Sequence, residues 1–202
     1  VDRTLTWDVS RYGSHTETSL AAPSLTWYLA EGATHSGFDL FYLLQNPDPA
    51  RSATVTVRYL RPSGAPPSKT YTVAPGSRAN IWVNQEDFDV AGVATRVLAS
   101  TDVSAVFTVA NDVPIIVERA LYRSTGGLTF GAGHESAGVT APARQWFLAE
   151  GATGDYFDLF VLVANPTDRP ARIRARYLLP SGQVLTKEHD VAANSRFNIW
   201  VD

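Results

Sequence analysis

Two stretches of the chain each place a pair of carboxylates eight positions apart: Glu31 with Asp39, and Glu150 with Asp158. Two carboxylates across a cleft are what glycoside hydrolysis needs, one as acid and the other as base or nucleophile. Glu31 and Asp39 are therefore a candidate hydrolase pair. Nothing around them in the sequence builds a cleft, and a half-buried carboxylate ordinarily meets an arginine or a turn amide. The favoured reading is structural: Glu31, Asp39, Glu150 and Asp158 accept from Arg3 and Arg119 of the V-D/E-R segments, or from Arg78 and Arg196 of the S-R segments. No catalytic residue is assigned.

Other site chemistries find less support. His15 and His134 occupy equivalent places, in SHTE and GHES, but His35 and His189 have no counterparts, so neither a zinc set nor a Ser-His-Asp arrangement can be assembled in both stretches. Calcium through Glu31, Asp39 and Asp48 lacks a loop of dense acidic spacing. With no cysteine, thiolate sites and disulfides are excluded. No metal and no cofactor is expected. The basic residues are all arginine except Lys69 and Lys187, and a net charge of −3 with scattered signs gives no footprint for nucleic acid. No apolar run approaches the length of a membrane span. Trp82 and Trp200 alternate with inward apolar residues, so they share an outer face with Arg78, Asn80, Arg196 and Asn198. An outward Trp beside Arg and Asn can stack on a sugar ring, although it more often covers a sheet or a neighbouring domain. The run Arg169, Arg172, Arg174, Arg176 is absent from the first stretch and is no general property of the unit.

These residues recur because the sequence itself recurs. TWYLAEGATHSGFDLFYLLQNP at 26–47 returns as QWFLAEGATGDYFDLFVLVANP at 145–166, and NIWVN at 80–84 returns as NIWVD at 198–202. A period of domain size implies tandem units. Short apolar-alternating segments, broken by NPDPA, RPSGAPP and APGS, predict strands at 26–30, 38–46, 54–60, 69–73, 78–83, 94–100, 104–110 and 115–122. The expected fold is all-β: tandem immunoglobulin-like antiparallel β-sandwich repeats. VDRTL at the start matches VERAL at 117–121. Residues 1–23 then read as the last strand of a preceding unit plus a connector, 24–123 as a complete sandwich, 124–143 as a second connector rich in small residues, and 144–202 as a unit without counterparts of 85–122. Trp27 and Trp146 should both be buried, and the core residues of the first unit should have buried counterparts in the second.

The phrases W-Y/F-L-A-E-G-A-T, F-D-L-F, N-P, P-S-G, S-R and N-I-W-V resemble a family of tandem repeats on secreted and cell-surface bacterial proteins. The resemblance covers nearly the whole chain. It implies immunoglobulin-type modules without established activity, and an extracellular or cell-surface location. Together with the residues, it leads to a non-catalytic spacer or adhesion-type segment whose partners are neighbouring repeats or other copies of itself. The opening strand would complete the second unit of another molecule, head to tail. The alternatives are a carbohydrate-binding module that takes a cell-surface glycan on Trp82 or Trp200, and a hydrolase using Glu31 and Asp39.

Overall fold

The computed structural model describes residues 1–7 and 13–202. Residues 8–12, the start of the first expected connector, lie outside the described residues. In chain order the strands are β1 (Asp2–Trp7), β2 (Gly13–Thr18), β3 (Thr26–Leu29), β4 (Phe38–Asn46), β5 (Ala53–Leu60), β6 (Ser68–Val73), β7 (Ser77–Trp82), β8 (Phe88–Val90) and β9 (Val93–Thr95). They continue as β10 (Ser104–Val109), β11 (Ile116–Thr125), β12 (Leu128–Ala137), β13 (Phe160–Asn165), β14 (Ala171–Leu178), β15 (Val184–Val191) and β16 (Ser195–Trp200). A 3-10 turn, Val83–Gln85, is the only helical element among the described residues.

Strands β3 to β12 make an antiparallel sandwich of two four-stranded sheets, ordered β3-β10-β5-β6 and β12-β11-β4-β7. With the small β8-β9 hairpin set aside, the second strand pairs with the fifth and the third with the sixth, as in the centre of an immunoglobulin domain. The first strand, β3, joins the sixth, and the seventh, β11, joins the second. The first and last strands of the immunoglobulin arrangement have thus exchanged sheets. The core between the sheets holds Trp27, Leu40, Tyr42, Leu44, Val55, Val57, Tyr59, Ile81, Val83 and Phe107, all buried. Alternation along β5 explains the choice, since Val55, Val57 and Tyr59 face in while Thr54, Thr56 and Arg58 are only partly covered.

Two devices fix the strand ends and are repeated along the chain. The Asn of each N-P phrase is buried, and its amide brackets a turn: Asn46 Nδ2 donates to Arg51 O, Val73 O and Ala74 O, and Asn165 Nδ2 donates to Arg169 O, Val191 O and Ala192 O. The residue after N-I-W-V holds the start of the neighbouring strand, because Asn84 Oδ1 accepts from Leu40 N and Asp202 Oδ2 accepts from Leu159 N. The ladders agree accordingly. Phe41 faces Trp82 and Phe160 faces Trp200; Ala53 faces Val73 and Ala171 faces Val191.

Three expectations are corrected. Both segments read as connectors carry strands, β2 within 8–23 and β12 within 124–143. Their small residues are cross-strand partners of aromatic rings: Gly13 faces Trp7 and Gly133 faces Tyr122, and a Cβ on either glycine would lie 2.2 Å or 2.7 Å from that ring. The strand expected at 94–100 shrinks to β9, paired only with β8. Trp146 is 57% exposed where Trp27 is 1% exposed, and Leu148 is exposed where Leu29 is buried. The inward residues of β13 and β14 are only half-buried, because among the described residues the sheets β13-β16 and β14-β15 have two strands each where the first repeat has four.

The buried Tyr59 hydroxyl bonds Tyr71 at 2.7 Å, and Tyr71 donates to Glu86, which also holds Lys69. Tyr59→Ala should destabilise the fold by about 3 kcal/mol or more through the lost ring volume. Tyr59→Phe should cost only about 1 kcal/mol, because Tyr71 keeps its bond to Glu86. Denaturant unfolding measures both, and an unchanged midpoint for Tyr59→Ala would show that the ring is not core.

Candidate functional site

The repeated phrase AEGAT, residues 30–34, leaves β3 and runs without a ladder partner of its own for most of its length. Buried carbonyls outside a ladder must find other donors. Here three successive ones do. Ala30 O accepts from Ser104 Oγ, Glu31 O accepts from Arg119 Nη1 at 3.1 Å, and Gly32 O accepts from Arg196 Nη1 at 2.7 Å and from Val103 N at 2.9 Å. Gly32 is required by closeness, since a Cβ there would lie 2.6 Å from Val103 O. Thr34 closes the loop, donating through Oγ1 to Leu98 O and accepting from Thr101 N.

Arg119 projects from β11 and is almost wholly buried. Its Nη2 lies 2.7 Å from Glu31 Oε2 and 3.2 Å from His134 Nδ1, and His134 Nε2 lies 3.4 Å from Glu31 Oε1. Arginine can only donate, so His134 Nδ1 accepts and the imidazole proton sits on Nε2, facing the carboxylate. Burial would raise the Glu31 pKa. The hydrogen bond from His134 and the charge of Arg119 outweigh that and hold it at about 2.

Arg196 reaches the same loop from β16. Its guanidinium lies 3.1 Å from Asp102 Oδ1 and bonds Asn198 Oδ1, while Asn198 Nδ2 donates to Asp102 Oδ2 at 3.0 Å. His35 Nε2 lies 3.2 Å from the same Asp102. Burial pulls the Arg196 pKa down against the opposing charge of Asp102, yet a guanidinium remains protonated. The backbone joins in, with Arg196 N donating to Arg61 O, and Arg58 reaches across to Pro166 O at 2.8 Å and to Asn194. The Tyr42 hydroxyl is fully buried, and burial pushes its pKa up against the charges of Arg119 and Arg196.

A related cluster forms where the opening hairpin rests on β12. Arg3 lies 3.1 Å from Glu118 and 2.5 Å from Glu135, and the buried His15 contacts Glu135 at 3.1 Å and the Tyr122 hydroxyl at 3.2 Å. Burial lowers the His15 pKa and raises that of Glu135.

Of the carboxylate–arginine pairs expected from sequence, the structure forms the one between Glu31 and Arg119. Asp39 accepts from Trp82 Nε1 at 2.9 Å instead of from an arginine. Arg78 is exposed and donates to Asn80. Arg3 takes Glu118 and Glu135 in place of an AEGAT carboxylate. Glu150 and Asp158 are exposed and form no ion pair among the described residues, because no strand carrying an Arg lies beside them. Arg196 and Asn198 were expected on an open outer face with Trp200; they are instead committed at the joint, while Trp82 and Trp200 are 41% and 61% exposed. Arg172 and Arg174 both pair with Glu188. Asp102, Ser104 and Arg58 escaped the sequence reading. Asp102 and Ser104 have no counterparts in the second repeat, so comparison of the copies could not mark them. Among the described residues no three His, Asp or Glu side chains gather as a metal site, and no helix is long and apolar enough to cross a membrane.

No family model and no curated protein matches the chain. Among the solved structures that match, two illustrate a loose similarity. Thermotoga maritima 1070 matches at 10% identity and a TM-score of 0.48 over 59% of this chain and 96% of its own. The Anabaena sensory rhodopsin transducer matches at 19% identity and a TM-score of 0.40 over 50% of this chain and 91% of its own. Neither likeness bears on function.

The depressed Glu31 pKa makes the loop acid-sensitive. Since the folded value of about 2 lies below the ordinary 4.5, its stabilisation is complete above pH 4.5 and drains away as pH falls toward 2. With allowance for solvent screening of a part-exposed side chain, about 2 kcal/mol should be lost over that window. Glu31→Gln should be less stable at neutral pH and should flatten this part of the pH profile, as read by urea unfolding from pH 2 to 6. A parallel profile in both proteins would refute the assignment.

Proposed function

We propose that the chain is a non-catalytic repeat segment, a spacer or adhesion-type module of an extracellular or cell-surface bacterial protein. The observation that carries this reading is the joint made by Arg196. A spacer must transmit orientation from one unit to the next. A guanidinium whose side chain is 1% exposed, bonded to Gly32 O and Asp102, cannot pivot without stripping a buried charge of its partners. Breaking such a contact typically costs about 3–5 kcal/mol. The bacterial surface location rests on the family resemblance alone. Glu31, held at about 2, is ionised at neutral pH and would not serve there as the general acid of a hydrolase pair.

One observation favours glycan binding as a second reading. Trp82 stacks on Phe41 with ring centres 5.3 Å apart and planes at 26°, and Trp200 stacks on Phe160 at 6.0 Å and 19°. Each pair offers an exposed, pre-set aromatic face of the kind a sugar ring covers. In the first repeat Arg78 and Asn80 stand free beside it.

Arg196→Ala should loosen the joint, broadening the small-angle scattering envelope and lowering the stability of the second repeat by about 2–3 kcal/mol. An unchanged scattering profile would overturn the stiff-spacer reading. On glycan arrays, binding that disappears in Trp82→Ala and Trp200→Ala would replace it with the carbohydrate-binding reading.

A further inference from the structure

The joint between the two repeats has a vacant twin at the other end of the molecule. The second repeat enters it with Pro166, Asn194, Arg196 and Asn198, and the same positions in the first repeat are Pro47, Gly76, Arg78 and Asn80. The backbone there is already set for the contact: Gly76 has φ 54° and Asn194 has φ 51°. Arg78 donates to Asn80 as Arg196 does to Asn198. Pro47, Gly76 and Arg78 line an open groove of about 610 Å³, with Arg3 and Glu118 on its wall. Arg3 corresponds to Arg119, so the groove sets Arg3 near Arg78 just as Arg119 and Arg196 converge at the filled joint. What fills that joint is the AEGAT loop.

A second AEGAT loop is available. Ala149, Glu150 and Gly151 are exposed, and Trp146, Phe147 and Leu148 just before them are 57%, 86% and 74% exposed. The neighbouring β13 pairs only with β16 among the described residues, whereas β4, its counterpart, carries β11 on its other edge. The opening hairpin is built like β11-β12: Leu5 faces His15 as Leu121 faces His134, and Asp2 faces Thr18 as Glu118 faces Ala137. The opening strand is therefore not a lone strand, as expected from sequence, but half of a preformed hairpin whose other edge is open.

From this, and resting on the repeat-segment reading above, we propose that a second molecule of this chain docks head to tail: the β1 edge of one molecule pairs with the β13 edge of the other, and the AEGAT loop at 149–153 enters the Arg3–Arg78 groove. Continuity with the existing joint sets the register. Ala120 faces Phe41 in the first repeat, so Thr4 faces Phe160 across the molecules. Arg3 takes Glu150, as Arg119 takes Glu31, and Arg78 donates to Gly151 O, as Arg196 does to Gly32 O, while His15 stays buried on Glu135 and Tyr122. Charge is complementary at Arg78, which is exposed and has no acidic partner among the described residues, while Arg3 is half-exposed beside Glu118 and Glu135. The contact is a heterologous interface of a kind that extends into filaments.

The chain has no cysteine, so engineered thiols are unambiguous. Thr4→Cys protein mixed with Phe160→Cys protein should give a disulfide-linked pair under mild oxidation, and Thr4→Cys with Val161→Cys, one residue out of register, should give far less. In sedimentation experiments, the full chain should associate with concentration. Arg3→Glu or Glu150→Arg alone should weaken that association roughly tenfold or more, and mixing the two variants should restore it by pairing the reversed charges. Circular dichroism of each variant verifies that it is folded. A chain that stays monomeric at its highest soluble concentration, equal cross-linking in both registers, or failure of the folded charge-reversal pair to recover association overturns the proposal. None of these outcomes touches the Arg196 joint within one molecule, so the spacer reading stands or falls separately on scattering.

Discussion

Three consecutive carbonyls, at Ala30, Glu31 and Gly32, govern the arrangement of everything around them. They belong to a segment that has left its sheet, and a buried carbonyl with no donor costs about as much as a lost hydrogen bond. Ser104, Arg119 and Arg196 supply the donors. One comes from β10, one from β11 and one from β16, so satisfying a single irregular loop fixes a strand of each sheet and brings in the second repeat. The exchange of first and last strands between sheets fits the same constraint, since β3 and β11 must both reach this loop from opposite sheets.

That constraint also accounts for the preference for arginine over lysine. Arg119 serves a carbonyl and the Glu31 carboxylate at once, and Arg196 serves a carbonyl, Asp102 and Asn198. A planar guanidinium has five donors in a fixed fork and keeps its charge when buried. An ammonium carries its three donors on one nitrogen, whereas these acceptors are reached from two separate guanidinium nitrogens, and it shifts its pKa more readily when buried. The two lysines lie away from this loop, Lys69 holding Glu86 at the end of the tyrosine chain.

The sequence revealed whatever depends on local pattern. Alternation in β5 and β7 located the core, and repetition paired NIWVN with NIWVD before any contact was known. It hid what depends on a partner distant in the chain. Strands β2 and β12 look like linkers because their glycines make sense only beneath Trp7 and Tyr122. Arg78 and Arg196 look alike in sequence, yet one is exposed and donates to Asn80 while the other is buried against Gly32 O and Asp102. Asp102 itself carries no signal, being one acidic residue at an isolated bridge to Ala33.

The second repeat separates these two kinds of information. Its β13-β16 and β14-β15 ladders keep the registers of β4-β7 and β5-β6, so local devices such as the Asn165 bracket set strand pairing without the flanking strands that widen both sheets of the first repeat. Burial does not follow. Val191 and Ile199 are covered while Phe160, Phe197 and Leu185 remain in part exposed. Pairing in this chain is thus encoded within each hairpin, whereas a closed core and a neutralised AEGAT loop have to be supplied by the strands that follow the hairpins. An apolar face that is already in register but uncovered loses little conformational entropy when a matching strand arrives, since its backbone is ordered beforehand. Such a face favours addition of a strand over rearrangement of the ones already present.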